Sequence, residues 1–202
     1  MIIRLLIGIL LTYALTSNGT AATGQLPVGP AAVAIFIPHG LFRDDEFDAA
    51  LRILERFGIP AIVVSSDTTA AQGIDGLTVK PQKTLTELRP AEFSALVLVD
   101  GSGITAYWHD TLLWRCCQEF AAAGRYVVAI ELAPVILARA GVLRNRRATV
   151  YPDFYCINVL KAGGARHRFG PVVTDGNVLT ASKAENTAQV IRLLVKYLKG
   201  NR

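Results

Sequence analysis

RYVVAIELAPVILARAGVL, residues 125–143, decides how the rest of the chain reads. Tyr126–Ile130 is apolar at every position, the pattern of a parallel strand covered on both faces. Glu131–Ala133 turns the chain, and a helix begins at Pro134. Proline at a first helical turn loses no needed hydrogen bond, because that N–H has no partner there. The one charged residue, Glu131, stands at the strand's carboxyl end, where open α/β sheets gather ligands and reacting groups. The spacing predicts a strand–elbow–helix over residues 126–140 with a site above it.

Working outward, the pattern is strand and helix in alternation. Val33–Ile37 reads as a short apolar strand and Pro38-His39-Gly40 as a turn. Asp44–Phe57 reads as a helix that Asp44 or Asp45 caps, with Phe47, Leu51, Leu54 and Phe57 on one face and Gly58 at its end. Ile59–Ser65 is the next strand, so the chain makes a right-handed βαβ unit with a parallel pair. A small hairpin is expected at Gly73–Val79, a short segment at Leu85–Leu88 and a third apolar strand at Ala95–Val99. Asp100-Gly101-Ser102-Gly103 turns into a helix over Tyr107–Ala123, closed by Gly124. Beyond the elbow come a strand at Asn145–Val150 and two strands, Phe169–Thr174 and Asn177–Ala181, around the turn Asp175-Gly176. Lys183–Leu198 closes the chain as a helix with Ala188, Ile191, Leu194, Val195 and Leu198 on its apolar face. The expected fold is a three-layer α/β/α sandwich of the flavodoxin-like kind with a mostly parallel central sheet.

Hydrophobic residues make up 51% of the chain and charged residues 18%, which supports one sizeable core and argues against disorder. The net charge of +5 is spread along the sequence, and its one cluster, Arg144, Arg146 and Arg147, has no interleaved aromatics. No nucleic-acid partner is therefore expected. Of the three cysteines, Cys116 and Cys117 sit in an amphipathic helical stretch and Cys156 stands apart. No CxxC or zinc spacing occurs, a disulfide from Cys156 to either neighbour stays open, and any exposed thiol can oxidise. Residues 1–24 read as a signal peptide: Arg4, then the apolar run Leu5–Leu15, then a cleavage site after Ala22. That run is short for a bilayer span, and an uncleaved N-terminal anchor is the alternative. Residues 25–31 are a linker and residues 32–202 a single domain, exported to a periplasm or secreted, touching a membrane only through an uncleaved leader.

Five stretches, in this order and spacing, carry a resemblance: LERFGIPAIVVSS, GIDGLTVKPQKTLTEL, FSALVLVDGSG, AIELAPVILARAGVLRNRRATVYP and VVTDGNVLTAS. Together they resemble the ThiJ/PfpI superfamily, with its class I glutamine amidotransferase-like fold, across nearly all of residues 32–198. The resemblance implies a nucleophile elbow reading Ala-Ile-Cys-His-Gly-Pro, whose thiolate is activated by its position at a helix start. Here that elbow reads Ala129-Ile130-Glu131-Leu132-Ala133-Pro134, with Glu131 at the nucleophile position and Leu132 at the histidine position. The family's glutamate that touches the cysteine lies in a Phe-Glu-Asp loop; aligned on Phe42-Arg43-Asp44, Arg43 takes its place. Of the paired glycines that supply backbone donors, the first is Asp100 and the second Gly101, and Tyr151 holds the aromatic or histidine position before a proline. The resemblance also implies a homodimer or larger ring.

These departures predict a partly buried Glu131–Arg43 salt bridge, since a buried carboxylate without a partner is costly. The alternative is that both side chains reach solvent in an open cleft. Cysteine-dependent hydrolase or amidotransferase-type activity is expected to be lost. Three readings remain: a pseudoenzyme that binds a small molecule or protein in the former cleft, an enzyme with acid/base chemistry at Glu131 and His39, or an assembly role. His39 reads first as an ordinary loop residue, and His109 and His167 have no partner motif. Asp100 and Glu131 are two acids, too few for a metal site, so no metal and no cofactor is expected.

Overall fold

The computed structural model describes residues 32–200, so the leader and the linker lie outside the described residues. Seven strands form the main sheet: β1 Val33–Phe36, β2 Ala61–Ser65, β3 Lys83–Thr84, β4 Ala95–Leu98, β5 Tyr126–Ile130, β6 Val172–Asp175 and β7 Val178–Ala181. Their spatial order is β6-β7-β5-β4-β1-β2-β3. Every neighbouring pair is parallel except β6 with β7, so the mostly parallel sandwich is as the sequence implies.

Alternation in the strands divides the core into two halves. Val33, Ile35, Val97, Val128 and Ile130 face one buried cluster, and Ala34, Phe36, Leu96, Leu98 and Val127 face the other. The first is roofed by α1 (Asp44–Arg56) and α5 (Thr187–Leu198), whose buried residues include Phe47, Leu54, Ile191 and Leu194. The second is roofed by α2 (Thr111–Ala122), α3 (Pro134–Arg139) and α4 (Phe154–Ala162). Each fully buried aliphatic or aromatic side chain contributes about 1.5–3 kcal/mol, which is why the strands read as unbroken apolar runs.

Several boundaries differ from the sequence reading. The helix expected from Tyr107 starts at Thr111, because Ser102–Tyr107 is wound as 3-10 turns and the Asp110 carboxylate caps α2 by accepting from the Leu113 N–H. Neither Asp44 nor Asp45 caps α1; Arg43 occupies the N-cap position without a side-chain capping bond. Asp44 instead accepts from the N–H groups of Asp75 (3.0 Å) and Leu77 (2.7 Å), tying α1 to the hairpin of Ala71–Gly73 and Thr78–Val79. That hairpin also pairs with Gly40–Phe42, a short strand absent from the sequence reading. The expected Asn145–Val150 strand shrinks to Arg147–Ala148, paired with Arg166–His167 in a separate two-stranded sheet. The first strand of the late hairpin starts at Val172 rather than Phe169, and its loop is Gly176-Asn177. The closing segment begins as a 3-10 turn, Ala184–Asn186, before α5.

Helix α4 was not expected at all. Its N-cap is Asp153, whose carboxylate accepts from the Cys156 N–H at 2.9 Å. Only Cys156 and Leu160 of its residues are buried, so the apolar stripe is too thin to announce a helix. Its start therefore leans on the cap. Replacing Asp153 with Ala is expected to cost about 1 kcal/mol of stability; chemical denaturation of the two proteins measures it, and an unchanged midpoint would show the cap to be idle.

Candidate active site at the elbow

Glu131 follows β5 directly and has φ +56°, a left-handed backbone that a side-chain-bearing residue adopts at a cost of about 1–3 kcal/mol. The turn is held from three directions. Glu131 N–H donates to the Ala181 carbonyl at 2.9 Å, the Glu131 carbonyl accepts from Tyr151 N–H at 2.8 Å, and Ala133 N–H closes onto Ile130 O at 2.9 Å. The elbow expected from the sequence is thus present, with an acid in its strained position.

Two further loops arrive at the same end of the sheet. The loop after β4 lies against the loop after β1 at backbone distance. A Cβ at Gly101 would come 2.1 Å from Leu41 O, and one at Gly103 would come 1.8 Å from Gly40 O, so both positions require glycine. Arg43 N–H donates to Asp100 O at 2.8 Å and locks the two loops together. Asp100 is thereby set beside the elbow, 2% exposed.

The side chain that completes the site is Glu46, in the first turn of α1 and 1% exposed. One of its oxygens accepts from Asp100 N–H at 2.8 Å, and the other has no hydrogen-bond partner. Glu46, Asp100 and Glu131 each bring one carboxylate oxygen within 4.8 Å of the others. The resemblance put Arg43 at the position of the acid facing the nucleophile; in the structure Glu46, one helical turn on, holds the acid. Its signal was available: Glu46 shares the buried stripe of α1 with Ala50 and Ile53, where a charged residue is out of place.

Burial, and then the charge of Asp100, pushes the Glu46 carboxyl well above the usual range. Burial, and then the charge of Glu131, pushes Asp100 up to about 8, against the pull of the Leu132 and Gly101 backbone N–H groups on its carboxylate. The Arg43–Glu131 pair is formed, Nη1 to Oε2 at 3.6 Å, with side-chain exposures of 36% and 14%. It is an electrostatic contact longer than a hydrogen bond. Arg43 spends its fork on Asp45, donating through Nε at 3.1 Å and Nη2 at 3.0 Å.

The remaining sequence candidates are rim residues. Tyr151 is 39% exposed, and Leu132 is half-buried on the main core. His39 makes no ion pair with Glu131: its ring contacts Thr69 Oγ1 at 3.3 Å and lies 3.6 Å from Asp67, and its N–H donates to Tyr107 OH. The expected Glu131–His39 contact is therefore not formed, because the turn at Pro38–Gly40 directs the ring toward the loop after β2. All three cysteines are free and buried. Burial raises the thiols of Cys116 to about 11 and Cys156 to about 12, and raises Cys117 as well.

Comparison with known proteins agrees with this geometry. A model of the DJ-1/PfpI family matches residues 31–197. The chain belongs to the DJ-1/PfpI family. A relative from Methanocaldococcus jannaschii, an uncharacterized protein, is 37% identical over 156 residues, covering 77% of this chain and 76% of its own. A protein of Pyrococcus horikoshii named a deglycase is 28% identical, covering 82% of this chain and 98% of its own. Among solved structures, a ThiJ/PfpI domain protein of Brachyspira murdochii superimposes with a TM-score of 0.82 at 24% identity, covering 85% of this chain and 98% of that one. At that identity it supports the DJ-1/PfpI fold alone.

The carboxyls also set a pH dependence. Glu46 and Asp100 hold protons more tightly in the folded chain than in the unfolded one, where carboxyls titrate near 4. Their stabilisation is complete at acid pH and is lost as pH rises, for Asp100 through about 8. Each retained proton gives a slope of about 1.4 kcal/mol per pH unit. Urea unfolding with chelator present is expected to show stability falling from pH 5 to pH 8, and Asp100→Asn to flatten the curve. Stability that climbs over that interval would contradict the assignment.

Proposed function

We propose that this protein is a DJ-1/PfpI-family pseudoenzyme that has lost cysteine-dependent chemistry and binds a small molecule or a protein in the cleft above the elbow. The observation that carries the reading is Asp100. Its buried carboxyl sits by the backbone N–H groups of Leu132, the residue after the elbow position, and Gly101, which draw it down against its burial. Donors of this kind stabilise an oxyanion only when they are free to meet one. With Glu131 in place of a thiol, both halves of a nucleophile–oxyanion pair are gone. The buried, protonated Cys116, Cys117 and Cys156 supply no substitute. The deglycase activity in the names of several relatives is accordingly an ancestral chemistry for this chain.

The leader of residues 1–24 supports export, with anchoring as its alternative. The strongly exposed Phe154 (85%) and Phe169 (82%) support self-association as a homodimer or larger assembly.

A second reading has its own support. Asp100, with its carboxyl raised to about 8, holds a proton near neutrality beside Glu131, whose side chain is reachable from solvent. An acid–base pair made of these two, rather than of Glu131 and His39, is the arrangement that rewired hydrolase or lyase chemistry would use.

One experiment separates the two. Wild type, Glu131→Gln and the double variant Glu131→Cys/Asp100→Gly are assayed on glyoxal adducts and on amide and ester substrates. Loss of thiol chemistry predicts an inert wild type and a double variant at least about tenfold above it, the mark of roughly 1.4 kcal/mol of recovered transition-state stabilisation. Wild-type turnover that Glu131→Gln abolishes would overturn the pseudoenzyme reading in favour of the acid–base one.

A further inference from the structure

We propose that Glu46, Asp100 and Glu131 form a binding site for one hard divalent cation at the floor of the cleft. The cluster alone would be unremarkable, since carboxylates often gather without an ion. Its burial sets it apart. Glu46 is 1% and Asp100 2% exposed, and each has one carboxylate oxygen with no hydrogen-bond partner, as does Glu131. Buried acceptors are rarely left unmatched, so these oxygens ask for a positively charged or protonated occupant.

The carboxylates are also oriented as ligands are. Glu46 is fixed through its second oxygen by Asp100 N–H, at 2.8 Å. Asp100 is fixed through its backbone, whose N–H donates to Glu46 and whose carbonyl accepts from Arg43 N–H at 2.8 Å. Glu131 is steered by Arg43 Nη1, 3.6 Å away. Pinning a ligand group through a partner behind it is what fixes coordination geometry in metal sites.

Ligand type and charge narrow the ion. One oxygen from each residue lies within 4.8 Å of the others. Oxygens that close can all reach one ion, at about 2.3–2.6 Å for calcium or about 2.1 Å for magnesium. An all-oxygen, all-carboxylate set favours a hard cation over zinc or copper. A divalent ion supplies two of the three positive charges the cluster lacks, and Arg43 supplies part of the third. Glu131 is the one ligand reachable from solvent, so water or a bound molecule would complete the coordination from the cleft side.

The inference deepens the ligand-binding reading and rests on these carboxylates holding a ligand rather than turning over a substrate. The two fail separately: metal titration reads the cation site, and the Glu131→Cys/Asp100→Gly assay reads the lost chemistry. Calorimetric titration of the chelator-treated chain with Ca2+ is expected to show one site and a rise in melting temperature. Mn2+, followed by its paramagnetic resonance signal, should compete for that site. Glu46→Gln and Asp100→Asn should each weaken binding at least about tenfold, while Glu185→Gln, an exposed acid on the 3-10 turn before α5, should leave it unchanged. Circular dichroism checks that the amide variants fold, and Glu131→Gln, the least buried of the three, carries the test if either does not. Absence of binding by both ions, or equal binding in the folded amide variants, would overturn the site.

Discussion

A carboxylate loses several kcal/mol when it leaves water, and three of them meet beneath the elbow of this fold. They cannot all remain bare anions at that separation in a medium of low polarity. The pocket must therefore hold something positive, whether protons on Glu46 and Asp100, the Arg43 guanidinium at its mouth, or an added cation. Much of what is particular to this site follows from that demand: the Arg43 contact and the raised carboxyls.

The scaffold that enforces the demand is the parallel sheet and its loops. Parallel strands deliver the loops after β1, β4 and β5 to one end of the sheet. Backbone packs on backbone at Gly101 and Gly103, which leaves no slack for the acids to move apart. Glu131 keeps a left-handed backbone that a flexible surface loop would relax. Strain of this kind persists where surrounding structure over-determines it, and here the anchors are Ala181 and Tyr151. The elbow geometry stands with an acid, Glu131, at its strained position.

How much of this was legible in the chain depended on the length scale of the signal. The strand–elbow–helix was readable because Tyr126–Ile130 is apolar throughout and Pro134 marks the helix start. The Arg43–Glu131 contact was readable because an acid in an apolar setting implies a base nearby. Glu46 was missed because the stripe of α1 was read from its apolar residues alone, and an acid inside it passed unweighed. Helix α4 was missed because two buried residues make too weak a stripe. His39 was placed near the elbow by its loop, but loop membership does not fix where a ring points, and Asp67 and Thr69 hold it elsewhere.

The direction of β1 has a consequence for how the domain is presented. The chain enters the fold at Val33, whose N–H is held by Pro60 O, at the amino end of the sheet's central region. The cleft opens at the carboxyl ends of β1, β4 and β5. Entry point and mouth therefore lie on opposite poles of the domain. Any tether joined ahead of residue 32 would hold the domain by its base and turn the acid-floored mouth outward, toward whatever approaches from the far side.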